Sequence, residues 1–275
     1  MQRGLSMNHL CRLFVLAAAV IAFCFPALAQ KKTIETTLQP PSGFNRLPVK
    51  PESFAASLRH LELSNQKELL AGDGKTVLCD EDKVAVTTIL PYDNTNDVGV
   101  DGVVRLWGDY LWSRKSSSGI SFPLDNGQVA LWKDWRDGLR PRKKGGRFIF
   151  TQISTPDGSN ANYQKFLAFV AEEMGAIAIR RESTIIFEDS VTVGDLIVAL
   201  RKDTESRVGI ILDACKGPLG ERLFLLGTCG TPSTNLYIMK PYAPVQGTNE
   251  WFSLEGAKWA IGEGSRADLR RVTLK

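Results

Sequence analysis

Residues 207–229 read "RVGIILDACKGPLGERLFLLGTC", and this stretch decides the fold. Two apolar runs, 207–214 and 222–229, are separated only by the turn-rich "CKGPLGE" (215–221). A parallel pair needs a crossover of roughly a dozen residues or more, so strands joined this closely run antiparallel. Short apolar runs recur on either side: "TIIFE" (184–188), "GDLIVALRK" (194–202) and "NLYIMKP" (235–241). The gaps between them are again too short for crossover helices. The C-terminal third therefore reads as an antiparallel β-meander or partial barrel.

Upstream the period changes. In "GSNANYQKFLAFVAEEMGAI" (158–177), Tyr163, Phe166, Leu167, Val170 and Met174 form one apolar helix face. A second helix is expected from Val98 onward, carrying Val103, Leu106, Trp107, Tyr110 and Leu111. Ser53 is placed to cap a short helix bearing Phe54, Leu58 and Leu61. "KVAVTTIL" (83–90) reads as a strand, and Asp125-Asn126-Gly127 as a hairpin turn. "RDGLRPRKKGGR" (136–147) reads as a basic, solvated connector without the aromatics of a nucleic-acid surface. Helices first and a meander after make the class α+β. No internal repeat is present.

Residues 1–29 have the three regions of a secretory signal peptide: Arg3 and Arg12 with no acid, the apolar "LFVLAAAVIAFCF", and Ala27-Leu28-Ala29. An uncleaved anchor is the competing reading, but the apolar run is shorter than the roughly 20 residues a span needs. Cleavage places the chain in the periplasm or the medium, with no later membrane span. Residues 30–41 then read as a flexible lead-in and 42–275 as a single α+β domain. Of 34 basic and 30 acidic residues the leader holds two basic ones, leaving 32 to 30. A nearly neutral chain gives no charge argument for nucleic acid or an anionic membrane.

The chemistry is sparse. Three cysteines follow the leader, Cys79, Cys215 and Cys229, and one histidine, His60. Either one disulfide with a free thiol or three reduced cysteines fits that count. No metal-ligand spacing, nucleotide loop or hydrolase motif occurs, so no cofactor is expected. Cys215 stands beside Asp213 and Lys216, and an adjacent ammonium lowers a thiol pKa. Asp213 and Cys215 share a face only if the strand persists. His60 reads first as a surface histidine. Asp101, in the first turn of the helix after Val98, fits the helix dipole better than catalysis.

The order of "GFNRLP", "SFAASLRHLEL", "RLWGDYLWSRK", "ISFPLDNG", "WKDWRDGLRP", "NYQKFLAFV", "VTVGDLIV", "VGIILD", "LFLLGTCGTPSTNLYIMKP" and "DLRRV" resembles the domain of unknown function 4846 family. The resemblance spans residues 43 to about 272 and implies an exported bacterial protein. It implies a cysteine at the helix start, where this chain has Gly99, and a histidine opening the strand, where it has Arg207. It also implies a glutamine at Thr228 and a second histidine at Tyr237. Cysteine on a helix with histidine on a strand is the papain-like layout, an analogy at the level of fold. All four positions have departed from it.

Three functions follow. The first is a non-catalytic member that binds a ligand or envelope partner through a former cleft at Gly99, Asp101, Arg207, Thr228 and Tyr237. In that cleft Arg207 would offer a fork for an anion. The second is a hydrolase of cell-wall peptide or amide bonds with relocated residues, Cys215 with Asp213 and His60. The third is an envelope assembly protein using exposed tryptophans such as Trp132 and Trp135, although core packing is the simpler reading of both.

Overall fold

The computed structural model describes residues 31–273, apart from 67, 72, 74, 79–82, 91, 93–96, 115–118, 203, 231–233 and 246–247. The expected leader and Cys79 lie outside the described residues. The first half carries α1 (Ile34–Thr37), β1 (Asn45–Arg46), α2 (Phe54–Arg59), β2 (Leu69–Leu70), β3 (Val77–Leu78), β4 (Lys83–Val86) and α3 (Val100–Ser113). Next come β5 (Ser121–Pro123), β6 (Val129–Leu131), α4 (Trp132–Arg136), β7 (Leu139–Lys144), β8 (Arg147–Gln152), α5 (Asn160–Glu173) and α6 (Ala176–Glu182). The rest holds β9 (Thr184–Ile185), β10 (Leu196–Ala199), β11 (Arg207–Lys216), β12 (Arg222–Thr228), β13 (Tyr237–Met239), α7 (Leu254–Gly262) and β14 (Asp268–Arg271).

The stretch 207–229 forms the antiparallel hairpin β11–β12, with Ile210 opposite Gly227 and Lys216 opposite Arg222. It is the centre of an eight-stranded sheet ordered β4-β13-β12-β11-β10-β14-β9, and β1 joins β11 beside Cys215 and Lys216. Every ladder in it is antiparallel. The path ends at β4 and β9, so the sheet is open, not a closed barrel. A register shift between Ile211 and Asp213 lets Leu212 lie over Gly227, where a Cβ would meet its Cδ1 at 2.5 Å. Such a bulge bends a long strand and increases its twist.

The helical layer follows the apolar stripes. Tyr163, Phe166, Leu167 and Val170 of α5 are fully buried. Tyr163 stacks on Trp112 of α3 at 4.5 Å and meets Trp132 edge-on at 5.0 Å. Gly108 lets the helices close up, since a Cβ there would lie 2.4 Å from Leu167. Trp132 and Trp135 are therefore core residues, and they offer no exposed surface for assembly.

Several local expectations change. Residues 30–41 read as a flexible lead-in, yet Thr33 caps α1 with a capping box and Ile34 is fully buried. One buried isoleucine and one cap suffice to fix four residues that look merely polar. The basic stretch 136–147 is not a connector. Most of it is the β7–β8 hairpin, turned by Gly145 and Gly146 at φ +57° and +77°. Two positive φ values are what a two-residue hairpin turn of the I′ type requires. The "TIIFE" strand shrinks to Thr184–Ile185. The helix over 158–177 leaves off at Glu173, just before Gly175, the residue suited to its exit, and α6 starts anew after Gly175.

Candidate functional site

The Gly99 corner is built where α3 meets the sheet. Val98 and Arg207 form a parallel bridge, with Val98 N–H donating to Ser206 O and Val208 N–H to Val98 O, both at 2.9 Å. Gly99 then caps α3 in the left-handed region at φ +83°. A Cβ on it would stand 2.1 Å from Val208 O and 2.5 Å from Thr228 Oγ1. The Thr228 hydroxyl itself donates to Val208 O at 2.9 Å. Strand oxygens thus fill the space a side chain would need.

Asp101, 1% exposed, lies in the first turn of α3 and faces the buried Cys229 thiol. Burial, then the Asp101 charge, push that thiol well above its ordinary range. Gly102 allows the close approach, since its Cβ would sit 2.5 Å from Cys229 Sγ. Tyr237 pairs with Thr228 across the sheet and with Val86 on its other side. Gly99, Asp101 and Thr228 therefore do meet, and Tyr237 adjoins them through the ladder. They meet in a packed interior.

Arg207 turns away from this corner. Its Nη1 pairs with Glu263 Oε1, and Arg201 Nη2 reaches Glu263 Oε2 at 3.1 Å and Gly262 O at 3.0 Å. Glu263 ends α7 in the left-handed region, φ +46°. The anion that Arg207 binds is thus an internal carboxylate, and the pair ties β11 to the end of α7.

The other proposed constellation separates. Cys215 is fully buried, and burial followed by the Asp213 charge pushes its thiol up to about 12. A nucleophilic thiol needs the opposite shift. Asp213 is also fully buried, between Arg46 Nε (2.6 Å) and Arg59 Nε (2.7 Å), and it accepts from Ala214 N–H at 2.8 Å. Arg46 Nη2 and Arg59 Nη2 go on to Leu38 O and Leu47 O. The group fastens β1 and α2 to the bulge of β11. His60 points outward, two-thirds exposed, with Nε2 at 3.2 Å from Glu35. Cys215 and Cys229 are free thiols at opposite ends of the hairpin. Cys215 faces Leu223, and Cys229 lies six residues beyond it (223 to 229), about 20 Å along a strand. No disulfide joins them.

Two grooves lie elsewhere, and neither is lined by Gly99, Asp101, Arg207, Thr228, Tyr237 or Cys215. The larger, about 570 Å³, runs between α7 with the following loop and the segment after β9. Phe187 and Trp259 line it, and Tyr242 packs on Trp259 with ring centres 5.5 Å apart. All three rings are exposed: Phe187 83%, Tyr242 85%, Trp259 53%. Lys258 holds Glu188 at 2.7 Å and Glu255 at 3.1 Å across one wall. At the other end Asp268 takes Arg180, Arg266 and Arg270, each at 3.1 Å. Burial works to raise the Asp268 carboxyl, but the Arg270 hydrogen bond and the surrounding guanidinium charges win and hold it low. The second groove, about 400 Å³, is lined by Trp107, Phe122, Met174 and Arg271 among others.

Sequence reasoning missed the first groove because it missed α7. Ser253 before "LEGAKWAIG" was the available signal: its hydroxyl accepts from Gly256 N–H and caps the helix. No group of three or more metal-ligating side chains occurs among the described residues. No helix among them is long and apolar enough to cross a membrane. No curated protein and no solved structure matches the chain. The sequence model described as domain of unknown function (4846) does match, over residues 34–263. That match takes in the β11–β12 centre of the sheet and the α3 corner, and the chain belongs to this family.

Proposed function

We propose that this is an exported domain without thiol chemistry, and that it docks an envelope protein through the groove between α7 and the segment after β9. One observation carries the proposal: two exposed aromatic rings line that groove and a third packs on one of them, while the Gly99 corner is filled by the chain's own atoms. Exposed apolar patches mark interaction sites, and aromatic anchors dominate binding energy at protein interfaces. The binding surface is thereby moved from the former cleft to a different end of the sheet. The buried state and raised pKa of Cys215 and Cys229 speak against a relocated cysteine hydrolase.

The test is a photo-crosslinking amino acid at position 187, and separately at 228, in cells that export the protein. We expect one discrete adduct from position 187, lost in Trp259→Ser, and none from 228. An adduct from 228 alone would return the ligand to the Gly99 corner. Turnover of a peptidoglycan fragment that iodoacetamide abolishes would overturn the non-catalytic assignment.

A further inference from the structure

The β7–β8 hairpin carries a second surface. Side chains alternate along a strand, so one face of the ribbon bears Arg140, Arg142 and Lys144 from β7 and Arg147, Ile149 and Thr151 from β8. The opposite face packs inward: Phe148 is buried and meets Phe169 edge-on at 5.3 Å. On the outer face Lys144 stands directly opposite Arg147, and Arg142 opposite Ile149. Like charges facing across a ladder are destabilising. No acid shares this face. Arg140 is spent internally, donating to Trp135 O and Asn162 Oδ1 and lying 4.4 Å from the Trp135 ring. Arg142, Lys144 and Arg147 are exposed and make no ion pair with the described residues. Between them Ile149 is 47% exposed.

The ribbon is also stiff. Gln128 brackets Phe148 by accepting from its N–H at 2.6 Å and donating to its O at 2.9 Å. Asn126 donates to Gly146 O at the turn. Three cations are therefore held on one exposed face of a braced ribbon, around an apolar side chain, at a cost in stability. We infer that this face docks on an anionic phospholipid surface. The unpaired cations and the exposed isoleucine among them fit headgroup phosphates above an apolar layer.

Vesicle co-sedimentation of the full chain tests it. Phosphatidylcholine vesicles read any contribution of the apolar run near the N-terminus, and vesicles with added phosphatidylglycerol read the ribbon. We expect tighter binding to the anionic vesicles. It should fall roughly fivefold per charge removed, and about a hundredfold in R142Q/K144Q/R147Q. Lys143→Gln, on the inward face, should leave binding unchanged, and unaltered circular dichroism secures the fold of each variant. Equal binding to both vesicle types, or anionic binding untouched by the triple variant, would overturn the inference. So would displacement by inorganic phosphate alone, or tighter binding to duplex DNA lost in the same triple variant.

Discussion

Restoring a cysteine at position 99 should unsettle the fold before it restores any chemistry. Gly99 has φ +83° and caps α3 where β11 and β12 both press on it. A non-glycine residue there takes a left-handed backbone, which costs about 1–2 kcal/mol. Its Cβ would also lie 2.1 Å from Val208 O and 2.5 Å from Thr228 Oγ1, distances that force the strands or the helix start to move. Overpacking of a well-filled interior costs about 1–3 kcal/mol. Together these give about 2–5 kcal/mol, a large part of the 5–15 kcal/mol a domain commonly has. Urea unfolding of Gly99→Ala isolates the Cβ, and Gly99→Cys adds the thiol. Thr228→Ala removes one of the two contacts. The double variant Gly99→Ala/Thr228→Ala should therefore recover part of the loss, but not the part set by the Val208 carbonyl and the backbone. A Gly99→Cys protein within about 0.5 kcal/mol of wild type, the ordinary range of a surface change, would refute this reasoning. A cysteine there that also reacted with iodoacetamide in the folded state would show that the corner opens.

Asp213→Asn should destabilise by about 3–5 kcal/mol, because it leaves Arg46 and Arg59 without their shared buried carboxylate. A change below about 1 kcal/mol by chemical denaturation would show that the two guanidiniums are satisfied by Leu38 O and Leu47 O alone. Asp268 should contribute to the acid limb of stability. Its carboxyl is held below the ordinary 3.8 in the folded chain, so its contribution is complete above 3.8 and is lost as pH falls through the folded value. Melting temperatures across the acid range should fall less steeply in Asp268→Asn than in wild type, and parallel curves would dismiss the three-arginine cluster as a stabiliser. Asp97 should act in the opposite sense. Burial raises its carboxyl, so folding is favoured by its protonation.

The antiparallel centre of the fold was legible because it rests on local facts: two apolar runs and a turn too short to cross over. β4 and β9 were read as strands, but the same logic does not reach β1 or β14, which join β11 and β10 from distant parts of the chain. Each is two to four residues long, and a run that short carries no period. The basic stretch 136–147 misleads for a related reason. Its alternation is hidden, because Arg140, Arg142 and Lys144 on one face of β7 alternate with Leu139, Pro141 and a further charge, Lys143, on the other. The pair Gly145-Gly146 was the stronger signal, since two glycines between strands specify a turn.

The site was legible in a different sense. Gly99, Arg207, Thr228 and Tyr237 were picked out through a resemblance, and all four do lie near one end of α3 or on the strands beside it. What sequence could not show is how the space between them is used. Spacing along a chain gives the register of neighbours but not the position of an oxygen such as Thr228 Oγ1. Nor does it show that Arg207 will find Glu263, 56 residues away. These contacts reinforce each other. With glycine at 99, the Val208 carbonyl and the Thr228 hydroxyl bond across the place of the missing side chain, and Arg207 is then left to bind the end of α7. An active thiol at that position would need an accessible helix start and an adjacent proton acceptor. Here the first is closed by a backbone oxygen and the second is a guanidinium already paired.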